Sequence, residues 1–243
     1  MQTHQIKYII NFSEFLRIEG SPFAFWASEN IFVAFEQHKK LSNYVECKSG
    51  VMTGDEKFLE FWFEPSVDNV KFDCKSYLDM KGFKWFPINS GGDFRKWYGN
   101  LSKVVDLWNN GENIRKFSKN YRLRDSIYYF KQGVTWGRIT SSKAAFRIVK
   151  NGTLFGDAGP IGFIEGKTNY VLAFLSSNVV YKLLEFINPT LNVQVGDIMR
   201  LPLILLDSYD ELIDGLTTLN IFNSKIDWDS FETSWDFKKH PLI

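Results

Sequence analysis

Apolar residues recur at three- and four-residue steps through 168–187, at Val171, Leu172, Leu175, Val179, Leu183 and Phe186. That period predicts one amphipathic helix, with Thr168 as its cap. A second helix is expected over 28–39, where Ser28 stands before Glu29 and Ile31, Phe32 and Phe35 share a side; it should pack on the sheet that follows. A third is signalled by Ser208, Tyr209, Asp210 and Glu211, a capping box ahead of Leu212, Leu216 and Leu219. Between Val51 and Ile88 the pattern shortens to aromatic runs at 58–63, 70–74 and 85–88, separated by Gly, Pro, Asp and Asn. Such runs are short strands joined by turns. Short elements continue at 103–108, 126–130, 145–149 and 162–164, and Gly152, Gly156, Gly159 and Gly162 argue against long helices there. The order predicts an α+β fold, a mixed or antiparallel β-rich domain with flanking helices. Residues 1–166 form its β-rich part with an N-terminal helix, and 167–243 a helical segment packed on it.

With 44% apolar and 17% aromatic residues in 243, the chain can build a substantial core. The apolar stretch 171–187 is broken by Ser176, Ser177, Asn178, Lys182 and Glu185, so no membrane span is expected. The first twenty residues carry Lys7, Glu14, Arg17 and Glu19 and lack the pattern of a secretory signal, which makes a cytoplasmic location the expectation. Cys47 and Cys74 fall in separate elements and read as buried free thiols. With only His4, His38 and His240 beside them, metal or histidine catalysis has little to work with.

Charge changes the picture more than composition does. The net charge is +1, yet residues 1–80 carry −4, 81–150 carry +11 and 151–243 carry −6. A basic central third with acidic flanks focuses a positive field and implies an anionic partner. Arg95, Lys96, Arg115, Lys116, Lys119, Arg122, Arg124, Lys131, Arg138, Lys143 and Arg147 supply it, interleaved with Trp97, Tyr98, Tyr128, Tyr129 and Trp136. This is the composition of a nucleic-acid surface, with Tyr98 and Trp136 as candidate ligand-facing aromatics. Arg122, Arg124, Arg138, Ser141, Ser142 and Lys143 are the candidates for base readout. For any single cation, a solvated surface role is the bland alternative.

The end of the chain, Asp227-Trp228-Asp229-Ser230-Phe231-Glu232-Thr233-Ser234-Trp235-Asp236-Phe237, is too dense in aromatic and acidic residues to be a generic element. It resembles the closing segment of the adenine-specific DNA methyltransferases of BREX phage-defence systems, the phage-growth-limitation X type. Residues 188–202, 128–136, 96–100, 50–55 and 20–26 are also similar to blocks of that family, in the same order, so the resemblance covers nearly the whole chain. It implies a target-recognition region, similar in role to the specificity subunits of type I restriction systems.

What the resemblance would require for catalysis is missing. The family's Phe-x-Gly-x-Gly turn for S-adenosylmethionine has its nearest approach at 155–160, where the glycine spacing differs and Pro160 removes an amide donor. Its Asn-Pro-Pro-aromatic loop, which would hold a flipped adenine, has its nearest approach at Asn188-Pro189-Thr190-Leu191. Both read as turns. No Gly-x-Ser-x-Gly elbow, Walker loop or His-Glu-x-x-His is present, and the nuclease-like triplets 55–57 and 73–75 arise easily by chance. The expectation is therefore double-stranded DNA recognition without catalysis by this chain alone. S-adenosylmethionine would bind only a catalytic domain supplied in cis or in trans. The competing class is a protein-interaction module that docks, through the acidic ends and the 168–187 helix, on another phage-defence protein or a phage inhibitor.

Overall fold

The computed structural model describes residues 11, 13, 16–20, 24, 26–140 and 143–243. Among these residues the fold is α+β, with six helices and two four-stranded sheets. The first sheet has the order β1 (Val45–Lys48), β8 (Ile161–Ile164), β5 (Gly133–Trp136), β6 (Phe146–Val149), and every pairing in it is antiparallel. The second has the order β2 (Leu59–Phe61), β4 (Lys103–Asp106), β3 (Trp85–Asn89), β7 (Leu154–Phe155), and only β7 runs parallel to its neighbour.

Two cores follow from this division. Val134, Trp136, Phe146 and Ile148 of the first sheet pack against helices α3 (Thr168–Leu175), α4 (Asn178–Ile187) and α5 (Val195–Arg200) through Val171, Leu175, Leu183 and Ile198. Phe86, Ile88, Val105 and Leu154 of the second sheet enclose a separate cluster with Phe130 and with Ile114 of helix α2 (Trp108–Phe117). A buried polar knot joins the sheets. Asn89 Nδ2 donates to Thr135 Oγ1 at 2.6 Å and to the Gly159 carbonyl at 3.2 Å, and the Thr135 hydroxyl donates to the Pro160 carbonyl at 2.7 Å. In β5, strand alternation turns Val134 and Trp136 to the helices while Thr135 meets the knot.

Several elements depart from the sequence pattern. The predicted 168–187 helix is two helices bent by 67°. Ser177 takes an extended conformation between them and its hydroxyl accepts from the Val180 amide at 3.3 Å, capping α4. The periodicity survives because both halves cover the same sheet. Helix α1 (Glu29–Gln37) forms within the expected span, but Ser28 makes no side-chain cap bond there. Its Phe32 clusters with Ile18, Ala24 and Phe186 of α4. The run 70–74 forms a single bridge, Val70 to Trp85, in place of a strand.

The box expected at Ser208 and Glu211 is absent. Ser208 lies in a 3-10 turn (Asp207–Tyr209), and helix α6 (Asp210–Trp228) begins without a side-chain cap. Lys167 anchors that turn instead, reaching Asp207 at 2.7 Å and Asp210 at 2.6 Å. A capping box does form between Gln194 and Asp197, at the start of α5. Before it the chain makes one isolated bridge, Ile139 to Asn192. Helix α2 was not signalled at all, because it opens through three left-handed residues, Asn109, Asn110 and Gly111.

The acidic-aromatic terminal string packs on the body of the fold. Trp62 Nε1 donates to the Thr233 carbonyl at 3.0 Å, the Trp235 ring lies 5.4 Å from that of Phe72, and Ser234 is buried. Cys47 and Cys74 are buried and free. No single helix among the described residues is long and apolar enough to cross a membrane.

Candidate nucleic-acid interface

The turn after β5, the segment after β3, the turn after β7 and the strand-like stretch 191–194 converge on one side of the molecule. Backbone bonds hold them together. The Arg138 amide donates to the Ala158 carbonyl at 3.0 Å, the Val193 amide to the Arg138 carbonyl at 2.9 Å, and the Thr140 amide to the Leu191 carbonyl at 3.0 Å. Gly91 and Gly92 both take positive φ, which lets the chain turn close against Ala158 and Asn100.

A groove of about 470 Å³ results, lined by Ser90, Gly92, Gly137, Arg138, Ile139, Asp157, Ala158, Asn192 and Gln194. Asp157 organises its edge. Its two carboxylate oxygens accept from Arg122, at 2.7 Å, and from Arg138. Arg124 stands beside them, donating to the Gly50 carbonyl at 3.2 Å, and partial burial followed by the nearby Arg122 charge lowers its pKa. Three arginines from the stretch 122–138 therefore lie around one acid that follows them in the chain. A smaller recess of about 200 Å³ continues past Gly92, Gly137 and Ile139 to Lys143 and Arg147. Phe94 and Ile139, 57% and 73% exposed, stand at its rim.

The remaining candidates divide. Lys96 donates to the Ser176 carbonyl at 2.8 Å, and its ammonium lies 5.0 Å from the Tyr181 ring. Lys143 reaches the same ring at 5.1 Å, so two cations meet at the start of α4. Arg95 pairs with Asp227 and covers the Trp228 ring at 5.1 Å, which links the basic third to the terminal string. Lys131 lies in another recess, with Tyr128, Glu46 and Phe163. Ser141 and Ser142 lie outside the described residues.

Trp136, Tyr98 and Arg147 are interior groups. Trp136 is wholly buried and its indole N–H donates to the Val193 carbonyl at 3.0 Å; alternation in β5 points it at the helices. Tyr98 is 4% exposed in the same core, and burial raises its pKa. Neither ring is placed to stack on a surface ligand. Arg147, on β6, is 1% exposed.

Asn192, Gln194, Asp157, Phe94 and Ile139 were not foreseen. Asn192 is exposed in the groove, while the Gln194 side chain is held by its capping box. No local pattern flagged them, because each joins the site through tertiary pairing. Among the described residues, no group of three His, Cys, Asp or Glu side chains is arranged to hold a metal ion.

No family model matches the chain. Comparison with curated proteins finds relatives along its whole length. It is 32% identical over 255 residues to an adenine-specific methyltransferase PglX of Lacticaseibacillus casei (strain Zhang), covering 100% of this chain and 21% of the relative. It is also 32% identical over 235 residues to an adenine-specific methyltransferase BrxX of Escherichia coli O9:H4 (strain HS), covering 95% of this chain and 19% of that protein. The chain thus spans about a fifth of the length of these relatives. It is similar to one region of the BREX-type adenine-specific methyltransferases, the family that its motifs resemble.

Proposed function

We propose that this chain is the DNA target-recognition region of a BREX-type adenine-specific methyltransferase, and that it reads duplex DNA through the groove around Gly92, Gly137 and Asn192. The observation that carries the reading is a groove that presents Arg138 and an exposed Asn192, with Arg122 held at its edge by Asp157, Arg124 beside that pair, and Lys143 lining the recess that continues from it. Arginine and lysine at the edge suit phosphate oxygens, and arginine and asparagine inside suit base edges. Exposed Phe94 and Ile139 can lie against sugars or thymine methyl groups. Methyl transfer itself, with S-adenosylmethionine and the extruded adenine, belongs to the other four-fifths of such a protein, in cis or in trans.

Asp157 neutralises Arg122 and Arg138, and phosphate or a guanine edge would compete for the same guanidinium groups. The purified chain should bind duplex DNA at low salt, with log affinity falling linearly as log salt rises. Fluorescence anisotropy should show roughly tenfold weaker binding for Arg122→Ala combined with Lys143→Ala. Absence of binding by the unmodified chain at 50 mM salt would sink the reading.

One observation favours a second reading. Leu212, Leu216, Leu219, Phe222 and Ile226 form an outward face of α6, each more than half exposed. An exposed apolar helix face of this length is a protein-docking feature. On this reading the region also makes assembly contacts, with the catalytic part or with another defence protein. The 168–187 segment, the docking element expected from the sequence, contributes much of its apolar side to the chain's own core.

A further inference from the structure

Among the described residues Arg147 is the one buried basic side chain, and it has no acid. Its guanidinium donates only to backbone, to the Arg95 carbonyl at 3.2 Å and the Gly91 carbonyl at 3.3 Å. Its Nε has no hydrogen-bond partner. Burial, and then the neighbouring Arg95 charge, lowers its pKa to about 10, so it stays protonated at neutral pH. Both surroundings and neighbour oppose the charge that it carries. A buried cation with no counter-charge is an unfavourable arrangement that an incoming anion relieves.

The recess beside it has the right chemistry. Arg147 and Lys143 line a space of about 200 Å³, several times the roughly 30 Å³ that one water occupies in the liquid. Gly92 and Gly137 line it without side chains, and a Cβ at Gly92 would meet the Asn100 amide at 2.9 Å. Asp93 also lines it, which leaves two cations to one acid. Phe94 and Ile139 flank the rim with apolar surface, and the space continues past Gly92, Gly137 and Ile139 into the Arg138 groove.

We infer that the recess between Arg147 and Lys143 is a phosphate pocket, which takes one backbone phosphate of a DNA strand whose bases pass along the adjoining groove. The identity of the phosphate's owner rests on the DNA reading above; the pocket does not. Arg147 would contribute the uncompensated charge of its guanidinium in the recess wall, and Lys143 an ammonium that now lies 5.1 Å from the Tyr181 ring. The two carbonyl bonds fix the guanidinium plane, so little ordering is left for the moment of binding.

Inorganic phosphate is the probe. Thermal unfolding of the 243-residue chain is measured in phosphate and in chloride at equal ionic strength, for the unmodified protein and for Arg147→Gln, Lys143→Ala and Gly137→Val. Phosphate should raise the unmodified midpoint by about 2–4 °C more than that of any variant, the effect of a ligand that binds only the folded state. Gly137→Val narrows the pocket with both cations in place, so it decides the matter with Lys143→Ala should Arg147→Gln fail to fold. An equal rise in the unmodified chain, Lys143→Ala and Gly137→Val is a general salting effect and overturns the pocket. Duplex binding is scored separately. DNA binding with no variant-sensitive phosphate shift removes the pocket and keeps the DNA reading, whereas a variant-sensitive shift without DNA binding does the reverse.

Discussion

At the scale of single residues, burial divides side chains of the same type into different roles. Arg122 and Arg138 are accessible and share Asp157, whereas Arg147 is enclosed and has only carbonyls. Among the aromatics, Trp136 is wholly interior and Phe94 stands out at a rim. The cysteines show the same control. Burial pushes the Cys47 thiol up to about 12 and the Cys74 thiol up to about 11, and the buried Tyr129 phenol up to about 12. Each is an acid whose folded form holds its proton longer than the unfolded chain does. Their contribution to stability is therefore complete below the unfolded pKa, about 9 for a thiol, and is lost as pH climbs toward the folded values. Urea midpoints should fall between pH 8 and pH 10, and a thiol reagent at pH 8 should label the protein only after denaturant is added. Rapid labelling of the native chain would contradict the enclosure of both sulfurs.

At the scale of elements, periodicity reports which faces are covered but not whether the axis is continuous. The stretch 168–187 keeps its three- and four-residue spacing through the break because α3 and α4 both bury against the first sheet. Ser177, read in the sequence as a polar interruption, is the cap that allows the 67° bend. Ser177→Ala should lower stability by about 1 kcal/mol in urea titration, the usual magnitude for a lost N-cap. An unchanged midpoint would mean that packing alone sets the bend. The Gln194 and Asp197 box and the left-handed start of α2 were not legible for a related reason. Glutamine is an uncommon cap, and Asn109, Asn110 and Gly111 look like a loop until Leu107 and Leu123 close around Gly111.

At the scale of the whole molecule, the chain links two sheets by a polar knot and leaves two surfaces of opposite character. One is the basic groove. The other is the outward face of α6, whose inner side, at Ile213, Thr217, Ile221 and Trp228, is the more covered one. Apolar residues on both sides of a helix leave little amphipathic bias, and such helices are ordinarily covered all round. Leu216→Glu together with Leu219→Glu should reduce binding of an apolar dye while leaving the unfolding midpoint within about 1 °C and DNA affinity unchanged. A large loss of stability would show instead that α6 depends on those leucines for its own fold. The charge asymmetry read from the sequence, +11 in the central third, becomes a set of surfaces here, because Arg95 and Lys131 are drawn to other partners than the groove.

The α+β class, the β-rich middle, the long apolar helical stretch and the resemblance to BREX methyltransferases were all present in the order and type of residues, since each depends on local period, turn chemistry or a contiguous motif. The site was only half legible. Its cations could be named because charge density is a property of composition. Which of them share a groove depended on the pairing of 138–140 with 191–193 and on the return of Asp157 to Arg122, contacts between residues far apart in the chain. Only tertiary structure could set Trp136 and Tyr98 inside the core, bring Asn192 to the groove, and leave Arg147 buried without an acid beside an open recess.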